Sequence, residues 1–329
     1  MRILVVGAGS IGERHVRCFA TIKGVEIGVC DINLDIARKI SERYPVIEIG
    51  TKTDDFDLRN YDAAVVCTPA NLHIKIANEL AGKGLHLLIE KPLSISTDGV
   101  TELINISEQL GIIVAVGYVF RSDPVLSSMR ESIQSGRFGL PKQIIGYAGQ
   151  NFPYYRPEYR GTYYVHKEQG GGAIQDAITH LINASEWLVG PIERLVSDAN
   201  KLFLDHGSDV EDTVHVIAQH SNGIMGLYGL NQFQMPNECV ITVVCTEGTL
   251  RFEKHNGLWK SSIEPEQDWK EEKRVSHHPD DFFTMQAKNF IDSIEGKELP
   301  KCDLLSGIQS LKVNLAIIKS SMDGGFVST

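Results

Sequence analysis

The sequence predicts an α/β protein in which a Rossmann domain with a doubly wound parallel sheet precedes an α+β domain with an open, mainly antiparallel sheet. Three observations carry this prediction. Short apolar runs alternate with helical patterns over the first 120 residues, a glycine turn follows the first run, and strand patterns succeed one another after Ile192. Alternating units form parallel sheets, whereas consecutive strands pair antiparallel.

The first domain, residues 1–120, opens with the apolar run Ile3–Val6, which is typical of a strand buried on both faces. The helical pattern that follows, Ser10–Lys23, ends at Gly24. The same reasoning predicts, in order, strand Val25–Cys30, helix Leu34–Arg43, strand Ala63–Cys67, helix Leu72–Lys83, strand Leu85–Ile89, helix Thr97–Leu110 and strand Ile112–Val116.

The second domain, residues 121–329, has a different texture. A tyrosine-rich loop, Phe152–Tyr164, separates a helix and a strand from three glycines and a further helix, and Asn222-Gly223 is a hairpin signal. The predicted helices are Arg121–Ser135, Ala173–Val189, Asp281–Ile294 and Leu304–Ser320, and the predicted strands are Gln143–Gly149, Arg194–Ala199, Thr213–Gln219, Ile224–Phe233, Val240–Thr246 and Leu250–Glu253.

Composition narrows the class of protein. The 329 residues are 42% hydrophobic and carry a net charge of −10, which argues against binding to nucleic acid or anionic membranes. Six cysteines without a C-x-x-C pair indicate a reducing compartment, and the apolar runs are too short for a membrane span, so a cytoplasmic location is expected. The pair His277-His278 fits no standard metal site, and no metal is expected.

A dinucleotide fingerprint follows the first strand. Gly7-Ala8-Gly9-Ser10-Ile11-Gly12 is a G-x-G-x-x-G that opens a helix, and these six residues are predicted to bind the cofactor phosphates. Asp31, at the end of the second strand, has the spacing of a ribose ligand and disfavours a 2′-phosphate, which favours NAD. NADP is the less favoured alternative, in which Arg38 reaches the 2′-phosphate.

Further cofactor contacts are expected where the next strands end. Cys67-Thr68-Pro69 follows one strand, and Glu90-Lys91-Pro92 follows another, at the carboxyl edge where Rossmann sheets bind ligands. Asn71 is either a helix cap or a cofactor contact. His73 is placed beside the cofactor, against the alternative of a partly buried surface histidine. A cis peptide before Pro92 is possible.

Three side chains suit alcohol oxidation. Lys91 follows the strand that ends at Ile89, while Asp176 and His180 lie four residues apart after Gly170-Gly171-Gly172 and share one helix face. A histidine or lysine can accept the proton, a lysine ammonium can polarise the oxygen, and a carboxylate can orient the substrate or the histidine. Residue types alone leave open which of Lys91 and His180 is the base. The alternatives are a loop lysine and a surface hydrogen bond.

These motifs together resemble the Gfo/Idh/MocA oxidoreductases. The resemblance covers essentially the whole chain, and Gly117-Tyr118 with Arg121 belongs to it. It implies that Lys91, Asp176 and His180 are catalytic, that the substrate is a sugar, sugar derivative or cyclitol, and that one face of the second sheet forms the interface of a homodimer or homotetramer. The family also includes NAD-dependent glycosidases and non-catalytic regulators, which remain the alternatives.

The remaining substrate contacts are expected from the tyrosine-rich loop and from the motif after the strand Ile112–Val116. Aromatic faces, hydroxyls and guanidinium groups suit a polyhydroxylated or anionic ligand. The alternative is a loop facing solvent or another subunit. Besides Lys91, Asp176 and His180, the predicted substrate-binding residues are Tyr118, Arg121, Tyr155, Arg156 and Tyr163.

Overall fold

A computed structural model describes residues 1–204, 210–276, 278 and 280–329. Two compact units emerge from it. The first comprises Met1–Ser122 with His278–Ile308, and the second comprises Asp123–His277 with Gln309–Thr329. The predicted division after residue 120 followed chain order alone, so it missed the return of the segment from His278 to the first unit.

The first unit is built on a six-stranded parallel sheet with the order β3-β2-β1-β4-β5-β6. Its central strands are buried along almost their whole length because helices cover both faces. The strands are β1 (Arg2–Val6), β2 (Glu26–Cys30), β3 (Val46–Gly50), β4 (Ala63–Val66), β5 (His86–Ile89) and β6 (Val114–Val116).

Four helices connect these strands and a fifth arrives from late in the chain. They are α1 (Ser10–Phe19), α2 (Leu34–Ser41), α3 (His73–Ala81), α4 (Val100–Leu110) and α8 (Asp281–Ile294). The late helix joins this unit because Phe290 and Ile291 enter the same apolar core as Val16 and Phe19 of α1. An ion pair from Arg17 to Asp280, 2.6 Å, fastens its N-terminus to α1.

The second unit holds a nine-stranded mixed sheet, in which, among the described strands, only β7 and β10 pair parallel. Its order is β14-β13-β12-β11-β7-β10-β9-β8-β15. The strands are β7 (Pro141–Asn151), β8 (Ile192–Asn200), β9 (Thr213–His220), β10 (Met225–Asn231), β11 (Phe233–Cys245), β12 (Gly248–Glu253), β13 (Leu258–Ser262), β14 (Lys270–Arg274) and β15 (Val327–Ser328). The predicted fold class is therefore confirmed.

Helices pack on this sheet. They are α5 (Pro124–Gln134), the single turn α6 (Phe152–Tyr155), α7 (Thr179–Val189) and α9 (Leu304–Asp323), whose first residues belong to the first unit. The predicted helix over Ala173–Val189 is wrong in its first part, because Ala173–Ile178 is π-helical. Its first N–H groups, which have no partner within the helix, bond to Glu211.

The predicted hairpin between β9 and β10 is confirmed, since Asn222 and Gly223 have φ values of 62° and 74° and the two strands pair antiparallel. Among the described residues, no helix is long and apolar enough to cross a membrane. All six cysteines are buried free thiols.

Candidate active site

The glycine turn connects β1 to α1 through close backbone packing. Gly7 has a φ of 92°, which favours glycine, and its N–H donates to the carbonyl oxygen of Cys30 at 2.8 Å. Gly12 lies so close to Gly7 that an added Cβ would stand 1.9 Å from the Gly7 carbonyl oxygen. Two of the three glycines are thus required by the protein's own packing.

Gly9 is exposed and has a different reason to be glycine. It is the N-cap of α1, and an added Cβ would find no atom of the described residues within 4 Å. Space is therefore left above the first N–H groups of a ten-residue helix, whose positive dipole end favours anions. Ser10 is also exposed, whereas Ala8 is buried and Ile11 half-buried. This cradle fits the diphosphate of a dinucleotide.

Asp31 joins the cradle to the end of β2. One carboxylate oxygen accepts the Ala8 N–H at 2.7 Å, and the other accepts the Asn33 N–H at 2.8 Å. An ionised carboxylate has about four acceptor positions, so both oxygens retain capacity for ribose hydroxyls. Arg38 is an exposed side chain that pairs with Asp35 at 3.3 Å.

Main-chain hydrogen bonds bring the predicted cofactor residues to one sheet edge. Beyond the ends of the strands, the N–H of Cys67 donates to Val6 at 2.7 Å and the N–H of Glu90 donates to Val66 at 2.9 Å. Thr68 is half-buried and Pro69 is exposed at the same edge. Asp31 stands at this edge as well. The sheet therefore assembles the predicted cofactor segments side by side.

Asn71 and His73 are placed differently from one another. Asn71 is exposed in a single 3₁₀ turn, and the residue before α3 is Leu72, so the helix-cap alternative for Asn71 is wrong. His73 is buried, with Nδ1 2.9 Å from the Pro92 carbonyl oxygen and Nε2 2.7 Å from that of Thr68. Burial lowers the pKa of His73. Its ring therefore joins two cofactor-edge loops rather than standing at the surface.

Glu90 pairs with His15 inside the first unit. Its Oε1 lies 2.7 Å from Nε2 of His15, and both side chains are buried. Burial alone opposes ionisation, but the hydrogen bond and charge of His15, with Lys91, lower the pKa of Glu90. The other carboxylate oxygen accepts the Lys91 N–H at 3.1 Å, and the half-buried Lys91 precedes a cis proline. Glu90 thus holds the main chain that carries the predicted catalytic lysine.

Asp176 and His180 lie in the second unit and are both half-buried. Asp176 is in the π-helical turn and His180 is in the first turn of α7, so a continuous α-helix does not relate them. The hydroxyl of Tyr163, which is 41% exposed, donates to Asp176 Oδ1 at 2.6 Å. The sequence predicted Tyr163 and Asp176 separately, and the structure pairs them.

Glu211 is a site residue that the sequence did not predict. It lies just before β9, its Oε1 accepts the Ile174 N–H at 2.7 Å, and its main-chain oxygen accepts the Ala173 N–H at 3.0 Å. Burial raises the pKa of Glu211. No local pattern marks it, because Ile174, the partner of its carboxylate, lies 37 residues earlier in the chain.

The tyrosine-rich loop is partly a small core. Phe152, Tyr159 and Tyr164 pack together, with ring centroids 4.5–6.1 Å apart. Tyr155 is 49% exposed, and Arg156 is also exposed. The buried aromatic residues therefore support a surface from which Tyr155 and Arg156 project.

The predicted substrate residues Tyr118 and Arg121 lie inside the first unit and are 1% and 6% exposed. Arg121 Nη1 donates to the Lys301 carbonyl oxygen and to Ser306 Oγ, each at 3.2 Å. These contacts tie the first part of the chain to the returning segment, and a substrate role for either side chain stays a prediction.

Of the predicted histidine pair, His277 lies outside the described residues. His278 donates its N–H to the Asp281 carboxylate at 2.8 Å. In the described part of the chain, no group of three or more His, Cys, Asp and Glu residues is arranged to hold a metal ion.

Two family models match the chain. The model for the oxidoreductase family with an NAD-binding Rossmann fold matches residues 1–118, and the GFO/IDH/MocA C-terminal domain matches residues 126–251. Rhizopine catabolism protein MocA of Rhizobium meliloti is 26% identical over 260 residues, which are 78% of this chain and 79% of that protein.

Myo-inositol 2-dehydrogenase of Thermotoga maritima is 25% identical over 233 residues, covering 69% of this chain and 67% of that protein. The solved structure of levoglucosan dehydrogenase in complex with NADH and levoglucosan has a TM-score of 0.91 at 18% identity, covering 100% of this chain and 99% of that chain. This likeness confirms the fold. With both domains matched by models of one family, the chain belongs to the Gfo/Idh/MocA oxidoreductases and begins with an NAD-binding Rossmann domain.

Proposed function

We propose that this protein is an NAD-dependent dehydrogenase that oxidises a secondary alcohol of a sugar, a sugar derivative or a cyclitol. The observation that carries the proposal is the assembled sheet edge, where Asp31 and the glycine cradle lie in one row with the Glu90-Lys91 segment. The named activities of related dehydrogenases support the substrate class.

The cofactor supplies a hydride acceptor when bound, and the protein must supply orientation and one proton acceptor. Asp31 holds the ribose and the N-terminus of α1 holds the diphosphate. One of Lys91 and His180 accepts the proton of the substrate hydroxyl, and the other polarises the substrate oxygen. Asp176, held by Tyr163, accepts a substrate hydroxyl.

Tyr155, Arg156 and Tyr163 are the proposed substrate side chains of the loop. Their exposure above the core of Phe152 and Tyr159 supports this role, because a packed base holds polar groups in place at low entropic cost.

The test is NADH formation with a panel of sugars, inositols and sugar acids. We expect turnover with at least one compound, a strong preference for NAD over NADP, and loss of turnover in Lys91→Ala with NAD affinity retained. Tightly bound NAD without net NADH, together with cleavage of a glycoside, supports a glycosidase or lyase instead. NAD or sugar binding without any turnover supports a regulator.

We also propose that the protein is a homodimer or homotetramer that associates through the large sheet. A row of apolar side chains crosses four neighbouring strands on one face: Val196 pairs with Ile217, Ile217 with Leu227, and Leu227 with Ile145. Ile217 and Leu227 remain 49% and 45% exposed, and contiguous exposed apolar surface of this kind marks interaction sites.

Light scattering after size exclusion tests this association. Leu227→Lys is expected to yield monomers, whereas Leu299→Lys, at a leucine 84% exposed in the first unit, is expected to leave the assembly intact. A wild-type monomer at micromolar concentration contradicts the proposal. We place the protein in the cytoplasm, in keeping with its six free thiols.

A further inference from the structure

Glu211 holds the start of the π-helical turn that carries Asp176 from a distant part of the chain. Glu211 accepts two successive main-chain N–H groups of this turn, from Ala173 at its carbonyl oxygen and from Ile174 at its carboxylate. The distances are 3.0 and 2.7 Å. These are the N–H groups that a helix cannot satisfy itself, so Glu211 performs the task of an N-cap from the segment just before β9.

Gly172 makes room for that carboxylate. Its φ is 91°, and an added Cβ would stand 2.6 Å from Glu211 Oε1. The N–H of Gly172 donates to the Tyr164 carbonyl oxygen at 3.0 Å. The start of the turn is therefore clamped between the end of the tyrosine-rich loop and Glu211.

Both contacts, with Tyr164 and with Glu211, determine where Asp176 lies. The Asp176 N–H donates to the Gly172 carbonyl oxygen at 3.0 Å, so its main chain depends on the clamped glycine. Its side chain accepts the Tyr163 hydroxyl at 2.6 Å, from the residue next to Tyr164. Backbone and side chain of Asp176 are thus placed by the same two segments.

We propose that Glu211 is a positioning residue for the dehydrogenase reaction, which places the Asp176 carboxylate by holding the N–H groups of the π-helical turn. The inference rests on the proposed function, in which Asp176 binds substrate. This positioning requires an acceptor oxygen at the end of a side chain as long as glutamate, within hydrogen-bond distance of the Ile174 N–H.

Three variants separate the acceptor from the charge. Glu211→Gln keeps an acceptor oxygen at the same reach, Glu211→Asp keeps the charge but is one methylene shorter, and Glu211→Ala removes both. Glu193→Ala, at an exposed carboxylate on β8 of the same unit, is the matched control. Each is measured for kcat, KM, NAD affinity and melting temperature.

We expect Glu211→Ala and Glu211→Asp to lower kcat by about 10- to 100-fold, since a displacement near 1 Å can cost two orders of magnitude. Glu211→Gln is expected to stay within about threefold of wild type, and NAD affinity is expected to change in none of them. Equal losses in Glu211→Gln and Glu211→Ala overturn the proposal, as does wild-type kcat in Glu211→Asp. If Glu211→Ala does not fold, the Asp and Gln variants decide.

Crystal structures of wild type and Glu211→Asp make the inference independent of activity. We expect the variant to lose the π-helical turn or the Tyr163–Asp176 hydrogen bond. A variant that preserves both overturns the positioning role. A wild-type protein without turnover refutes the proposed dehydrogenase while these structures still decide whether Glu211 places Asp176.

Discussion

Replacing Gly9 with alanine should separate cofactor binding from folding. Gly9 has a φ of −62°, which any residue adopts, and its Cβ position is clear of every described atom within 4 Å. The replacement should therefore leave stability unchanged or raise it by about 0.4–1 kcal/mol, because alanine restricts the unfolded chain. The methyl group, however, occupies the space through which the diphosphate approaches α1.

The loss of affinity can be bounded from the contacts at stake. Hydrogen bonds to a charged group contribute about 1.5–3 kcal/mol each, so losing one weakens NAD binding by roughly 10- to 150-fold. Calorimetric titration with NAD and thermal unfolding of the same samples measure both quantities. Wild-type NAD affinity in Gly9→Ala would refute the placement of the diphosphate.

Gly12→Ala is the contrasting control. Its Cβ would lie 1.9 Å from the Gly7 carbonyl oxygen, so the two must separate by about 1.5 Å to reach an ordinary contact. This variant should lose both NAD affinity and about 1–3 kcal/mol of stability. Gly9→Ala is therefore expected to change NAD affinity without loss of stability, whereas Gly12→Ala is expected to lower both in the same two assays.

Two further predictions concern charges in the first unit. Asp31→Ala should weaken NAD binding and narrow the preference for NAD over NADP, because it removes the ribose acceptor and frees the Ala8 N–H. Calorimetric titration with both cofactors measures the two affinities, and an unchanged preference contradicts the role of Asp31. His15→Leu should cost about 3–5 kcal/mol at neutral pH, since it removes the histidine partner of the buried Glu90 carboxylate, and adding Glu90→Leu should recover most of that loss. The pKa of Glu90 is lowered on folding, so its contribution is present above the unfolded value of 4.5 and is lost as pH falls through the folded pKa. Urea unfolding against pH tests the pair, and a flat acid profile contradicts it.

The first unit was largely predictable because its signals are local. The apolar run before Gly7 and the spacing to Asp31 are properties of short segments, and the structure joins them by hydrogen bonds within one sheet edge. Strand β3 (Val46–Gly50) was missed because it lies at the sheet edge. Ile47 and Glu48 are exposed there, so the strand lacks the continuous apolar run of a buried strand.

The second unit was harder because distant residues shape it. The start of the predicted helix over Ala173–Val189 is a π-helical turn whose first N–H groups bond to Glu211, and helical periodicity does not reveal a partner 37 residues away from Ile174. The short strands β13 (Leu258–Ser262) and β14 (Lys270–Arg274) were also missed. Lys270–Arg274 consists entirely of charged residues, and its strand conformation comes from pairing with β13 rather than from burial.

The central claim is hydride transfer to NAD with Lys91 as a catalytic residue. The most direct measurement is a product analysis with the best substrate of the panel, labelled with deuterium at the carbinol carbon. We predict one deuterated NADH for each ketone formed, and loss of both products in Lys91→Ala while calorimetry shows NAD still bound. Ketone or cleavage product without net deuterated NADH, or undiminished turnover in Lys91→Ala, would contradict the account.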